Sequence, residues 1–275
     1  MTAWSADGPM ALRIRGVVVR FGGLTAVNVD DLLVPKGSVV GIVGANGAGK
    51  TTLFDVISGF VEPQEGSVLL DGTTELVGMK PESRSLRGLG RSFQNATLFE
   101  SMTVAETLAV AFERRLRGGS LLGAALGLHA VRERAVRSEV DDLVALMGLG
   151  SFYDKFIHEL STGSRRIVDL ACVLAHRPRV LLLDEPSSGI AQREVEALET
   201  LIRRVKDALG CTFLVIEHDI PLIRSLSDVM YAMETGRVIA RGTPDEVLND
   251  RRVIEAYLGT DATTIARSGA VGGAA

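Results

Sequence analysis

The stretch Val39–Gly59, VVGIVGANGAGKTTLFDVISG, decides how this chain is read. It opens on a short apolar strand, Val39–Val43, breaks into glycines, and resumes with a helical pattern from Lys50 to Ser58. Gly44, Gly49, Lys50 and Thr51 fit the pattern G-x-x-x-x-G-K-[ST]. In such a loop the glycines let backbone N–H groups turn inward onto phosphates, and the following helix adds the positive end of its dipole. The residues expected to cradle the phosphates are Gly44, Ala45, Asn46, Gly47, Ala48, Gly49, Lys50, Thr51 and Thr52. Lys50 neutralises phosphate charge, and the Thr51 hydroxyl is a ligand for Mg²⁺.

A second apolar strand, VLLLDEP, ends on Asp184 and Glu185. Adjacent carboxylates at a strand end repel each other and lose hydration unless a cation or ligand uses them. Behind a phosphate loop, Asp184 is expected to hold Mg²⁺, through water, and Glu185 to act as general base on the attacking water. A third strand, Thr212–Glu217, runs into His218. An imidazole there can reach a γ-phosphate, or be a plain loop histidine.

Working outward, Leu12–Val34 reads as two strands around a turn at Gly22-Gly23, and Ser67–Leu70 as another closed by Asp71-Gly72. From about Met102 the period changes: Val136, Val140, Leu143, Val144 and Met147 share a helical face that Gly148 and Gly150 end. Residues 103–176 are expected to be mostly helical, with a Gly-rich break at Gly118–Gly127. Val195, Leu198, Leu201, Ile202 and Val205 mark a helix stopped at Gly210. Val229–Met233 and Arg237–Ala240 close the series around Thr235-Gly236. Such alternation predicts an α/β fold, a largely parallel sheet with helices on its faces.

Composition sets further bounds. The 275 residues carry 30 basic and 34 acidic side chains, a formal net charge of −4, which disfavours a general nucleic-acid binder. Cys172 and Cys211 lie in apolar stretches and form no disulfide framework, which fits a reducing compartment. No secretory signal is read in the first residues. The longest tempting run, Leu121–Val131, is broken by Gly123, Gly127 and His129, far short of the roughly 20 apolar residues a bilayer requires. Residues 260–275 are mostly Ala, Gly, Thr and Ser with little to bury, and are expected to be disordered.

The pieces follow one order: phosphate loop, SFQ at Ser92–Gln94, LSTGSRR at Leu160–Arg166, VLLLDEP, then IEHD at Ile216–Asp219. This order resembles the nucleotide-binding subunits of ABC transporters, from Leu12 to Gly259. The resemblance implies a P-loop NTPase: a RecA-like mixed sheet core over 10–93 and 177–245, with an antiparallel β subdomain. It also implies an inserted α-helical subdomain over about 94–176 carrying the signature motif, and a C-terminal family motif at 246–259, all within one ATP-binding domain at 10–259. By the same resemblance Phe21 stacks on adenine, and Gln94 senses Mg²⁺ and the γ-phosphate. Ser161, Thr162 and Gly163 form the signature that touches ATP on an opposite subunit, and His218 is the switch histidine. Two such chains, identical or homologous, would sandwich two Mg-ATP and drive transmembrane permease subunits from the cytoplasmic face of the membrane. An extracytoplasmic solute-binding protein would take part indirectly, and nucleic acid would not.

Within that family the likeness is to branched-chain amino acid importers, carried by RFGGLTAV at Arg20–Val27, RSFQNATLFESMTVAETL at Arg91–Leu108, IEHD, and VIEAYLG at Val253–Gly259. That group also serves urea, short amides and some aromatic acids, so the resemblance does not name the solute. Leu98, Phe99 and Met102 are candidates to meet a permease loop, or ordinary core. Three departures stand out. Thr162 and Ser164 replace a glycine and the glutamine of L-S-G-G-Q, so dimer affinity is expected to differ. Ala191 stands where Asp or Asn is usual, and Ala45 replaces a common proline. The alternative reading is an ABC-type ATPase not coupled to transport. It lacks support in the doubled nucleotide domains, coiled coils or basic arms such proteins carry.

Overall fold

A computed structural model of the chain describes residues 8–92, 98–116 and 129–258. Gln94, the Gly-rich break at Gly118–Gly127 and the segment 260–275 lie outside the described residues.

Two sheets organise the described residues. The smaller is antiparallel. Its long strands β1 (Met10–Phe21) and β2 (Leu24–Pro35) pair down to Phe21 opposite Leu24, so Gly22-Gly23 is a two-residue turn, with Gly22 at φ 56°. The larger sheet forms around β3 (Val39–Val43), which leads into helix α1 (Lys50–Ser58). The smaller sheet is completed by β4 (Glu65–Leu70) and β5 (Thr74–Glu75), in the order β2-β1-β4-β5.

After the short helix α2 (Pro81–Leu86), strand β6 (Leu89–Ser92) forms the edge of the larger sheet. Sequence reading passed over both. LGRS has neither alternation nor an apolar run, and is a strand because β7 (Val180–Asp184) offers it a parallel ladder from Leu89 opposite Val180 to Ser92 opposite Leu183. Between β6 and β7 lie the helices α3 (Val104–Leu116), α4 (His129–Met147) and α5 (Thr162–Leu174). The helical face Val136, Val140, Leu143, Val144, Met147 is buried, as its spacing predicts, against Leu108, Phe112 and Val168. Gly148 ends it at φ 69°.

The chain then alternates: α6 (Gln192–Leu209), β8 (Thr212–Ile216), α7 (Ile220–Leu226), β9 (Val229–Glu234), β10 (Arg237–Gly242), α8 (Pro244–Leu248) and α9 (Arg251–Leu258). Among the described residues the larger sheet runs β10-β9-β3-β8-β7-β6, with only β9–β10 antiparallel. Every residue of β3, β7 and β8 is buried, the mark of a sheet covered on both faces. Alternate residues serve two cores. Val180 and Leu182 join α1 and the smaller sheet, whereas Leu181 and Leu183 join α5 and α6. Because β3, β7 and β8 are parallel, their carboxyl ends bring Gly44, Asp184 and Glu217 to one edge, where open α/β sheets bind ligands.

Candidate nucleotide site

The phosphate loop is held from three sides. A Cβ at Gly44 would lie 2.3 Å from the Met233 carbonyl oxygen, and one at Gly49 2.3 Å from that of Ala26, so neither position admits a side chain. Gly236 N–H donates to Ala48 O at 2.9 Å. Gly49 precedes α1 and offers no capping side chain, and no acidic residue lies in the first turn, so the helix start keeps its amides and positive dipole for an anion. Lys50 is buried, and its Nζ donates to Gly44 O at 2.6 Å and Ala45 O at 2.9 Å. Burial lowers its pKa, against the pull of Glu185 and Asp184. Asn46, Gly47 and Thr51 are exposed at the loop's mouth. Phe21 stands 53 % exposed at the tip of the β1–β2 hairpin, whose Ala26 abuts Gly49.

Asp184 ends β7 with its carboxylate buried. Burial pushes its pKa up, against Arg91, whose Nη2 donates to Oδ2 at 3.1 Å. Oδ1 is buried with no hydrogen-bond partner among the described residues. An acceptor left bare in this way is costly, and a cation there would satisfy it. No cluster of three or more His, Cys, Asp or Glu that could hold a metal lies among the described residues. One carboxylate and one hydroxyl suit Mg²⁺, which keeps its waters and takes phosphate oxygens, better than a metal needing a full protein cage. The donor set therefore fits magnesium.

Glu185 turns out of the strand at φ 49°, its N–H bonded to Ile216 O at 2.9 Å and its carbonyl accepting from Arg166 Nη1 at 2.8 Å. This left-handed backbone is uncommon for a non-glycine residue, and the flanking bonds hold it. Its Oε1 lies 2.8 Å from His218 Nε2. The two residues read as base and switch are thus in direct contact. Glu217, a residue of the IEHD run that sequence reading left without a role, is 1 % exposed. Its carboxylate accepts from the N–H groups of Ser187 at 2.7 Å, His218 at 2.8 Å and Asp219 at 3.3 Å. It binds the turn after Glu185 to the turn carrying His218. A charged residue closing an otherwise apolar strand was the available signal.

The signature segment is built differently. Ser161 caps α5, accepting from Ser164 N–H at 3.2 Å, and both Ser161 and Thr162 are exposed. Thr162 is the first helical residue, so its branched side chain meets no backbone demand for glycine. At Gly163 a Cβ would lie 2.9 Å from the Glu194 carboxylate, which itself accepts from Ala191 N–H at 3.2 Å. The two departures from the usual pattern, Thr162 and Ala191, thus flank one contact.

A groove opens at the β6 edge, lined by Phe60, Pro81, Arg91, Ala111, Asp169 and Cys172 among others. Phe60 and Phe99 are 57 % and 63 % exposed, whereas Leu98 packs on the core. No helix among the described residues is long and apolar enough to cross a membrane.

A family model described as "ABC transporter" matches residues 27–188, and one described as "Branched-chain amino acid ATP-binding cassette transporter" matches residues 237–263. The chain is 37 % identical over 250 residues to the high-affinity branched-chain amino acid transport ATP-binding protein BraF of Pseudomonas aeruginosa, covering 90 % of this chain and 97 % of that protein. It is 36 % identical over 252 residues to the corresponding protein LivG of Escherichia coli, with the same coverage. Among solved structures, an ATP-binding cassette of an ABC transporter in its ADP conformation superposes with a TM-score of 0.76 at 29 % identity, covering 91 % of this chain and 99 % of that one.

Proposed function

The chain belongs to the ABC transporter family of ATP-binding cassettes, and from that premise we propose that it hydrolyses ATP to drive a membrane permease importing branched-chain amino acids or a related small polar solute. The observation that carries the ATPase reading is the convergence of Gly44–Thr52, Asp184 and the Glu185–His218 pair on one sheet edge.

The chemistry follows from the groups present. Backbone amides of the loop and the Lys50 ammonium take the phosphate oxygens, Lys50 exchanging its carbonyl partners for them. Thr51 and Asp184 would hold Mg²⁺, which neutralises charge on the β- and γ-phosphates. Glu185 takes a proton from the attacking water at a carboxylate oxygen. His218 Nε2 lies 2.8 Å from that carboxylate, and an N–H turned from it would donate to the γ-phosphate instead. Glu217 keeps the two turns in register. Phe21, exposed at the tip of the hairpin whose Ala26 abuts Gly49, offers an apolar face to the adenine.

The start of α5, exposed at Ser161 and Thr162 with Gly163 buried behind them, completes the site of a second cassette, the same or a homologous chain. Gln94, between β6 and α3 in the sequence, would sense metal and γ-phosphate by the family resemblance. ATP then joins two chains, and its cleavage releases them. The groove beside β6 receives a permease loop, with Phe60 as its apolar contact, Phe99 exposed ahead of α3 as a further one outside the groove lining, and the cassette on the cytoplasmic face. The likeness to BraF and LivG supports branched-chain amino acids as cargo, with an extracytoplasmic solute-binding protein acting through the permease.

The test is a pull-down of tagged Glu185→Gln chain from native membranes in mild detergent with ATP and Mg²⁺. ATP retention without hydrolysis and recovery of a multi-span permease are expected. Recovery of only a cassette dimer, or of nucleic acid, overturns the transport reading. Hydrolysis at the parent rate overturns Glu185 as base.

A further inference from the structure

Arg91 and Ser92 close β6, and consecutive strand residues face opposite sides of the sheet. Arg91 reaches toward α1. Its Nη1 donates to Asp55 Oδ1 at 2.7 Å and Ser58 Oγ at 3.2 Å, and its Nη2 donates to Asp184 Oδ2 at 3.1 Å. Ser92 reaches toward α5, its Oγ donating to Asp169 Oδ2 at 3.2 Å. The Arg91 guanidinium lies 5.8 Å from the ring centres of both Phe54 and Phe60. Its side chain is 8 % exposed, yet it lines the groove together with Phe60 and Asp169.

A cation this deeply buried persists only where its charge is matched. Asp55 on α1 matches it, and the second arm of the planar fork goes to Asp184, a use that a point charge such as lysine reproduces poorly. Asp184 is therefore held by Oδ2 alone, while Oδ1 lies buried and unpartnered. A buried carboxylate gripped at one oxygen turns less freely, so the direction of the other is biased before a metal arrives. The same guanidinium is packed against Phe60, which is 57 % exposed at the groove.

We propose that Arg91 is a positioning residue joining the groove to the magnesium-holding carboxylate: it grips Asp184 Oδ2 so that Oδ1 is presented to the metal, and a permease segment pressing on Phe60 changes that grip. The second half rests on the permease reading above; the first does not.

The test compares the parent, Arg91→Leu and Arg91→Lys as isolated chains, measuring ADP binding by calorimetry in EDTA and in Mg²⁺. In EDTA the Leu variant should bind within about twofold of the parent, while the strengthening by Mg²⁺ falls about tenfold or more, the scale of losing a group that orients a metal ligand. The Lys variant should recover part of it. Equal strengthening by Mg²⁺ in all three chains overturns the proposal, and stronger binding of Mg²⁺ in the Leu variant makes Arg91 a competitor of the metal and overturns it equally. Should the Leu variant bind no ADP in EDTA, the Lys variant, which keeps the buried charge, carries the comparison. ADP affinity is then measured in complex with the permease recovered by the Glu185→Gln chain. A parent whose affinity responds to the permease and an Arg91→Lys variant that responds equally would overturn the link to the groove. A parent that binds no permease would overturn the transport reading and leave the metal result standing.

Discussion

Two helix N-termini of the chain, those of α1 and α5, are built in opposite ways. The start of α1 has no side-chain cap and is locked from outside, by Met233 against Gly44, Ala26 against Gly49, and Gly236 bonded to Ala48. The start of α5 is exposed at Ser161 and Thr162 and satisfies itself, with Ser161 accepting from Ser164 N–H. The first is preorganised by the rest of the chain, so its amides await only an anion. The second gives up part of a local cap to accept one, which suits a surface that engages only when a partner brings the phosphate to it.

This contrast can be broken in order of expected effect. Gly49→Ala is the most severe, because it forces both a left-handed backbone at φ 93° and a 2.3 Å clash with a backbone oxygen. We expect ATP binding to be lost, measured by calorimetry, with a fall in stability of about 1–3 kcal/mol on thermal melting. Parent-like affinity would mean that the loop is not locked. Gly163→Ala is gentler, since the Cβ meets the Glu194 carboxylate at 2.9 Å, and that side chain can move. Here the isolated chain should bind ATP as the parent does, while ATP-dependent dimerisation, read by light scattering in the Glu185→Gln background, weakens about tenfold, equivalent to roughly 1.4 kcal/mol. Loss of ATP binding by the monomer would place the signature in the chain's own site and erase the distinction. Ser161→Ala should have the smallest effect on folding, about 0.5–2 kcal/mol for one lost cap, read by urea titration. A change indistinguishable from zero would show that the self-cap is not what holds α5.

The site was legible in the sequence where chemistry forces residue type onto spacing. Gly44 to Thr52 could be read because only glycines admit such backbone approach and lysine supplies its charge as a compact ammonium. Asp184-Glu185 could be read because two carboxylates at the end of an apolar strand require a reason. Gln94 was named on resemblance and lies outside the described residues. Arg91 and Glu217 were quoted inside motifs but given no work, since an arginine after a glycine and a glutamate after an isoleucine are common in solvated turns. Burial, at 1 % exposure for Glu217, changes their meaning. The strand β6 and helix α2 were passed over for a related reason: neither carries periodicity, and β6 exists through its ladder to β7.

By itself the sequence determined the local grammar of its periodic stretches: which apolar runs are strands, which faces are apolar, where the glycines break them, and which residues are candidates to cradle phosphate or move a proton. These follow from side-chain size, hydropathy and backbone freedom, all properties of a residue and its near neighbours. Only the tertiary structure decided that Glu185 meets His218, that Glu217 ties their turns together, and that Arg91 grips Asp184 across 93 positions of chain. The physical reason is that charge pairing and desolvation depend on distance in space. A parallel sheet brings together strand ends that lie far apart in sequence.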